Sequence, residues 1–192
     1  ACIDCMRNER TQAVEHLRQA VCLNGQHFAA RALLGYLCND ACALRAILAE
    51  APQDALARYA LWLLGEGEGP AFVASRPQDV IDVALDFLRA DLTEEADRVL
   101  ATCTVADPMV AYYRAYYAGK PLPPVDPRYC FPNRLEDLIV LAAFPEDALA
   151  QYLRGCVYYD RMHYAAAIEC WEKCIALQPE HAFAWRNLAQ AL

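Results

Sequence analysis

The stretch Ala148–Pro179 constrains the fold more than any other part of this chain. It reads ALAQYLRGCVYYDRMHYAAAIECWEKCIALQP, two apolar patterns of helical period joined at Asp160-Arg161-Met162-His163. Apolar residues recurring three and four apart mark one face of a helix. Two such faces separated by a short polar turn can bury each other only as a helical hairpin. Counted from Ala148 as position 1, Gly155 falls at 8, Tyr158 at 11, Ala167 at 20, Trp171 at 24, Cys174 at 27 and Pro179 at 32. The register recurs upstream. Counted from Pro77, Ala84 falls at 8, Phe87 at 11, Ala96 at 20, Leu100 at 24, Cys103 at 27 and Pro108 at 32. Two copies in one register predict an array in which each pair covers the apolar face of the next.

Small and large residues at these positions resemble the tetratricopeptide repeat, a helix-turn-helix unit of about 34 residues. The resemblance implies an all-α fold: a right-handed α-α superhelical solenoid of tetratricopeptide-like helix pairs, some of them irregular. Composition points independently to helices. Hydrophobic residues make up 57% of the chain, above the usual ~45–50%, and much of the excess is Ala and Leu, which are strong helix formers.

Along the chain the expected units are residues 1–27, 28–54, 55–76 (irregular), 77–110, 111–147 (irregular), 148–181 and 182–192 (partial), in one array. Ala1 to Arg7 reads as the end of a helix, with a turn at Asn8 and a second helix from Arg10 to Leu23. Phe28–Cys38 and Cys42–Ala51 pair next; this unit is short, and the shortening is expected at its turn. Asp54 is an expected N-cap for a helix that stops at Gly65-Glu66-Gly67-Glu68-Gly69-Pro70. Thr93-Glu94-Glu95 reads as a cap and acidic first turn. Met109–Ala118 ends at Gly119, and a Pro-rich loop over 119–134 follows, whose prolines forbid a helix. It is expected to pack through Tyr129 and Phe131. Leu135–Phe144 resumes the helical pattern. Both ends fall inside repeats, so the chain is expected to be a fragment of a larger protein. An uncapped apolar end should then either dimerise or fray.

The net charge of −8 argues against nucleic-acid binding, which needs a basic stripe to neutralise phosphates. No apolar run approaches the ~18 residues of a membrane span. The ten cysteines sit within helical apolar patterns and read as reduced, mostly buried thiols of a cytoplasmic protein. Cys2-Ile3-Asp4-Cys5 is a lone C-x-x-C, whereas a structural zinc site needs four ligands. The acidic run Gly65-x-Gly67-x-Gly69 follows a helix, not the strand that a phosphate loop requires. His16, His27, His163 and His181 are not spaced as helical metal ligands, and nothing marks a cysteine as an activated nucleophile. The expectation is a protein without cofactor, metal or catalysis.

The last third resembles something more specific. Asp126-Pro127, Phe131-Pro132, Arg134-Leu135-Glu136, Tyr158-Tyr159-Asp160, Trp171-Glu172-Lys173 and Trp185-Arg186-Asn187-Leu188 look like the C-terminal repeat region of a bacterial family of unknown function. In that family the repeats follow a β-sandwich part similar to carbohydrate-active enzymes. The resemblance covers residues 126–192 and implies an accessory part of a larger, glycan-handling protein. Gln151 and Arg154 stand where the general repeat prefers apolar groups.

Two aromatic clusters stand out: Tyr112, Tyr113, Tyr116 and Tyr117, then Tyr152, Tyr158 and Tyr159. Aromatics at these positions serve as packing groups in any such repeat. The repeat resemblance also implies a concave groove lined by the first helix of each pair, chiefly through positions 2, 5, 9, 12 and 13. Those positions select Tyr36, Asn39, Tyr59 and Tyr152, together with Tyr159, Asp160, Arg186 and Gln190. Tyr and Arg are favoured where a surface binds a partner. Arg186 with Asn187 is a candidate carboxylate clamp. The expected role is a scaffold that binds a peptide, a protein or a sister domain of its own chain.

Overall fold

Asn39, Asp91 and Met162 each adopt a left-handed backbone, with φ of 56°, 60° and 61°. Each sits in the middle of a three-residue connection between two helices. In the computed structural model, which describes residues 2–67 and 73–191 and side chains from Arg10 onward, these turns set up the main hairpins. Phe28–Leu37 (α2) turns into Ala41–Glu50 (α3), Pro77–Arg89 (α5) into Thr93–Leu100 (α6), and Ala148–Asp160 (α9) into Tyr164–Leu177 (α10). The closing hydrogen bonds are equivalent: Asp40 N–H to Gly35 O, Leu92 N–H to Phe87 O, and His163 N–H to Tyr158 O, at 2.8, 3.0 and 2.8 Å. This is the Schellman arrangement, which satisfies a carbonyl that the helix end leaves free. The 28–54 pair is therefore not shortened at its turn. Its helices are shorter instead, 10 and 10 residues against 13 and 14 in α9 and α10.

The remaining helices are Cys2–Leu23 (α1), Ala55–Leu63 (α4), Pro108–Ala118 (α7), Leu135–Ala142 (α8) and Ala182–Ala191 (α11), and no strand occurs among the described residues. The turn expected at Asn8 is absent, since α1 runs through it without a break. Asn costs a helix only a few tenths of a kcal/mol, and no Gly or Pro accompanies it. Asp40, Asp54, Asp107 and Asp147 cap α3, α4, α7 and α9 through their carboxylates. Thr93 is not a cap: Leu92 holds that position without a side-chain bond. The candidate C-x-x-C of Cys2 and Cys5 lies outside the described side chains.

Backbone contacts divide the chain into two compact units, Ala1–Val105 and Ala106–Leu192. In the first, α2 packs against α1, α3 and α4, and α5 against α4 and α6. Its core holds Leu44, Ile47, Tyr59, Val80, Ile81, Phe87, Val99 and Leu100, all at most 2% exposed. In the second, α9 packs against α8 and α10, and α10 also against α11. Its core holds Met109, Tyr112, Tyr113, Leu141, Leu153, Val157, Trp171 and Cys174. The repeat register identified these interiors well: Ala84, Phe87, Ala96, Ala167 and Trp171 are buried. Cys103, Tyr158 and Pro179 are exceptions, the first two half-buried and the third exposed. Helix α6 ends at Leu100, so Cys103 lies in the following loop, where its thiol donates to Val105 O at 3.4 Å.

Candidate functional site

The site is built on two adjacent tyrosines of α7. Tyr112 donates its hydroxyl to Asp147 Oδ1 and Tyr113 donates to Asp137 Oδ1, each at 2.9 Å. Asp147 also accepts from Ala150 N–H, capping α9. Asp137, fully buried, also accepts the backbone N–H groups of Asn133 and Arg134 at 3.0 and 2.9 Å. One helix thus holds the starts of α8 and α9 together with the end of the Pro-rich segment. Burial, with the facing carboxylate, raises the pKa of both hydroxyls, so they remain donors across the accessible pH range.

The Pro-rich segment docks through residues other than those expected. Tyr129 is 88% and Phe131 72% exposed, whereas Cys130 and Pro132 are buried. Tyr129 projects from a tight turn closed by the Cys130 N–H to Pro127 O at 3.2 Å, where it takes a left-handed φ of 67°, and Phe131 follows the buried Cys130. The Cys130 thiol lies beside Asp107 and the start of α7, and burial pushes its pKa up.

Phe131 forms one wall of an open cleft of about 390 Å³ in the second unit. Tyr159 and Asp160, at the end of α9, form another, and Asn187 and Gln190 of α11 face them. Trp171 underlies the cleft, 1% exposed, with its indole N–H donating to Tyr152 O at 3.1 Å. Gly155 makes room for it, because a Cβ there would lie 2.3 Å from Trp171 Nε1. The Tyr159 ring rests on that of Trp171 at a centroid distance of 5.5 Å and meets Tyr164 edge-on at 5.1 Å. It is therefore a fixed aromatic surface, 39% exposed.

Of the residues selected by repeat position, the cleft brings together Tyr159, Asp160 and Gln190. Arg186 stands beside it, with Nε and Nη2 both donating to Asn187 Oδ1, at 3.1 and 2.9 Å. The two residues expected to clamp a carboxylate thus bind each other. Tyr152 is 8% exposed and stacks on His181 at 4.8 Å, inside the unit rather than on a groove. Tyr36, Asn39 and Tyr59 belong to the first unit. Tyr59 is wholly buried, with its hydroxyl 2.7 Å from Thr102 Oγ1. Tyr36 donates to Glu95 at 2.8 Å, and burial reinforced by that carboxylate pushes its pKa up to about 12. Asn39 is exposed in the turn after α2. Repeat counting missed Phe131, and no periodicity in its segment marked it.

Cys156 also borders the cleft, with Asn187 Nδ2 3.7 Å from its sulfur. Burial raises its pKa, as it does for Cys170 and for Cys174, which is pushed up to about 12. Thiols held protonated at neutral pH are poor nucleophiles and poor metal ligands. The expectation of mostly buried thiols holds in only part of the chain: Cys22, Cys38 and Cys42 are exposed, while Cys130, Cys170 and Cys174 are buried. No family model matches this chain. No helix among the described residues is long and apolar enough to cross a membrane.

Proposed function

We propose that this protein is a binding scaffold: a right-handed solenoid of tetratricopeptide-like helix pairs that holds a peptide, a protein or a sister domain, and performs no chemistry of its own. The three equivalent turns support the repeat reading. The observation that carries the binding reading is the convergence of Tyr159, Asp160 and Gln190 with Phe131 on one cleft. A fixed aromatic surface flanked by amides offers large contact area at little entropy loss. The free thiols fit a reducing, cytoplasmic setting.

A photo-crosslinking residue at Gln190 in the full-length protein tests this in cells. A partner captured at Gln190 and lost with Tyr159→Ala plus Arg186→Ala, with the fold intact, is the expected result. Capture that both substitutions leave unchanged would move the site elsewhere.

One observation favours a second reading, an accessory domain of a bacterial carbohydrate-active protein. Exposed Phe131 and Tyr159 rings beside the Asn187 and Gln190 side chains also suit a sugar, which stacks its apolar face and bonds through its hydroxyls. Quenching of Trp fluorescence by neutral oligosaccharides, lost in Tyr159→Ala, would favour it.

A further inference from the structure

Resting on the peptide-binding reading of the cleft, we propose that the cleft is one end of a longer trough, whose ligand is an extended, proline-rich peptide of about six residues. A second pocket of about 360 Å³ opens in the same unit, lined by Val125, Pro127, Leu149, His181 and Phe183 among others. The same three elements bound both pockets: the Pro-rich segment, α9, and α11 with its cap. On each element the second pocket takes an earlier residue and the cleft a later one: Val125 then Phe131, Leu149 then Tyr159, Phe183 then Gln190. The two pockets are therefore successive openings along one line. Phe183 and Gln190 are two helical turns apart, about 11 Å. Six residues of polyproline helix reach about 19 Å, enough to enter both pockets.

Arg186 joins the two pockets. Its guanidinium lies over the Phe183 ring at 5.5 Å in one and donates to Asn187 in the other. Charge does not select the ligand here. Asp160 pairs with Arg161 at 4.0 Å, and both rim arginines donate to neutral oxygens, Arg161 to Asn133 O and Arg186 to Asn187 Oδ1. Hydrogen-bond donors remain open along the line instead. His181, 8% exposed, accepts the Ala184 N–H through Nδ1. Its ring proton therefore sits on Nε2, with no bond from it to another described residue. Arg186 carries N–H groups beyond the two that Asn187 accepts. The Gln190 amide ends the row. A run of prolines matches this row, because it offers carbonyl acceptors and has no N–H of its own. It also holds its extended form without internal hydrogen bonds. Its ring faces pack on aromatic surfaces, which Phe131, Tyr159 and Phe183 provide here.

The test is fluorescence anisotropy of the intact chain with labelled, end-capped hexaproline, triproline, a Gly/Ser hexapeptide and a Glu/Pro hexapeptide. The expected result is that hexaproline binds about tenfold tighter than triproline and than the Gly/Ser peptide. Added salt should leave hexaproline binding unchanged, because the ligand is uncharged. His181→Asn keeps the cap and removes the ring donor, so it should weaken hexaproline about fivefold and leave triproline unchanged. Arg186→Ala, at an exposed position between the pockets, should weaken hexaproline as well and serves where His181→Asn fails to fold. Melting curves confirm the fold of each variant. Equal binding of hexaproline and the Gly/Ser peptide would overturn the proline selection and leave the peptide cleft standing. Equal binding of hexaproline and triproline, unmoved by either substitution, would overturn the second pocket. Tightest binding of the Glu/Pro peptide, lost in salt, would overturn the neutral ligand in favour of an acidic one. A response to a neutral oligosaccharide and to none of the peptides would overturn both readings. No response to any probe at millimolar concentration would overturn this inference and leave the scaffold reading to the crosslinking experiment.

Discussion

The indole of Trp171 lies against the bare α-carbon of Gly155. A Cβ at Gly155 would meet Trp171 Nε1 at 2.3 Å and Cδ1 at 2.5 Å. Trp171 has nowhere to go: it is 1% exposed and tied to Tyr152 O. The first unit repeats the contact in a softer form. A Cβ at Gly35 would come 3.0 Å from Leu44 Cδ2, the end of a flexible side chain. Alanine in a helix interior gains about 1 kcal/mol over glycine, while overpacking costs about 1–3 kcal/mol and occasionally more. Gly155→Ala, at the upper end of that cost, should therefore lose about 2 kcal/mol net in urea unfolding, and Gly35→Ala should change stability by less than about 1 kcal/mol. A neutral Gly155→Ala would show that α9 and α10 can separate freely.

The α9–α10 turn carries a removable strain. Met162 sits at φ 61° and is 75% exposed, so its side chain contributes little to the core. A left-handed backbone costs a non-glycine residue roughly 1–2 kcal/mol, and Asn and Gly bear it best. Met162→Gly or Met162→Asn should raise the melting temperature of the chain, by about 0.5–1 kcal/mol in free energy.

Asp137 accepts three hydrogen bonds in a fully buried position. Removing the carboxylate leaves a hydroxyl and two backbone N–H groups without an acceptor, and each orphaned group costs about 1–3 kcal/mol. Asp137→Ala should cost about 3 kcal/mol or more, whereas Tyr113→Phe, which spares the backbone bonds, should cost about 1–2 kcal/mol. Amide hydrogen exchange at Asn133 and Arg134 should accelerate in the alanine variant alone.

Acid should loosen the start of α11. His181 accepts the Ala184 N–H through Nδ1 at 3.2 Å, which requires a neutral ring, and burial lowers its pKa from 6.5. The unfolded chain therefore takes up the proton first as pH falls through about 6.5. Stability is full above that pH and declines from there until the lowered folded-state value is passed. Asparagine caps without titrating. His181→Asn should flatten the loss measured by urea unfolding between about pH 7 and 5.

The outward rings of the Pro-rich segment should matter for binding and not for folding. Phe131 and Tyr129 are largely exposed. Tyr129→Ser and Phe131→Ser should each shift stability by no more than about 0.5 kcal/mol. Phe131→Ser alone should weaken ligand capture at Gln190. A large drop in melting temperature for either variant would mean that the rings anchor the segment after all.

Helical periodicity, caps and the Gly155–Trp171 spacing were all present in one dimension, because helix–helix contact within a hairpin is local and repeats every few residues. That is why the helices and most of their buried faces were legible along the chain. The site was legible in part. Repeat position selected Tyr159, Asp160 and Gln190, which do converge, but it also selected Tyr59 and Tyr152, which are buried. A register says which side of a helix a residue occupies, and only the neighbouring helices decide whether that side is covered. The Pro-rich segment shows the same limit. Its composition ruled out a helix, but no periodic partner set which of its side chains turned inward. Burial of Cys130 beside the start of α7 decided that, with Phe131 left on the wall of the cleft. The sequence alone determined the helices and the hairpins they close, through contacts a few residues apart. The tertiary structure alone decided which aromatic rings remain exposed, because that depends on segments distant in the chain competing for the same buried surface.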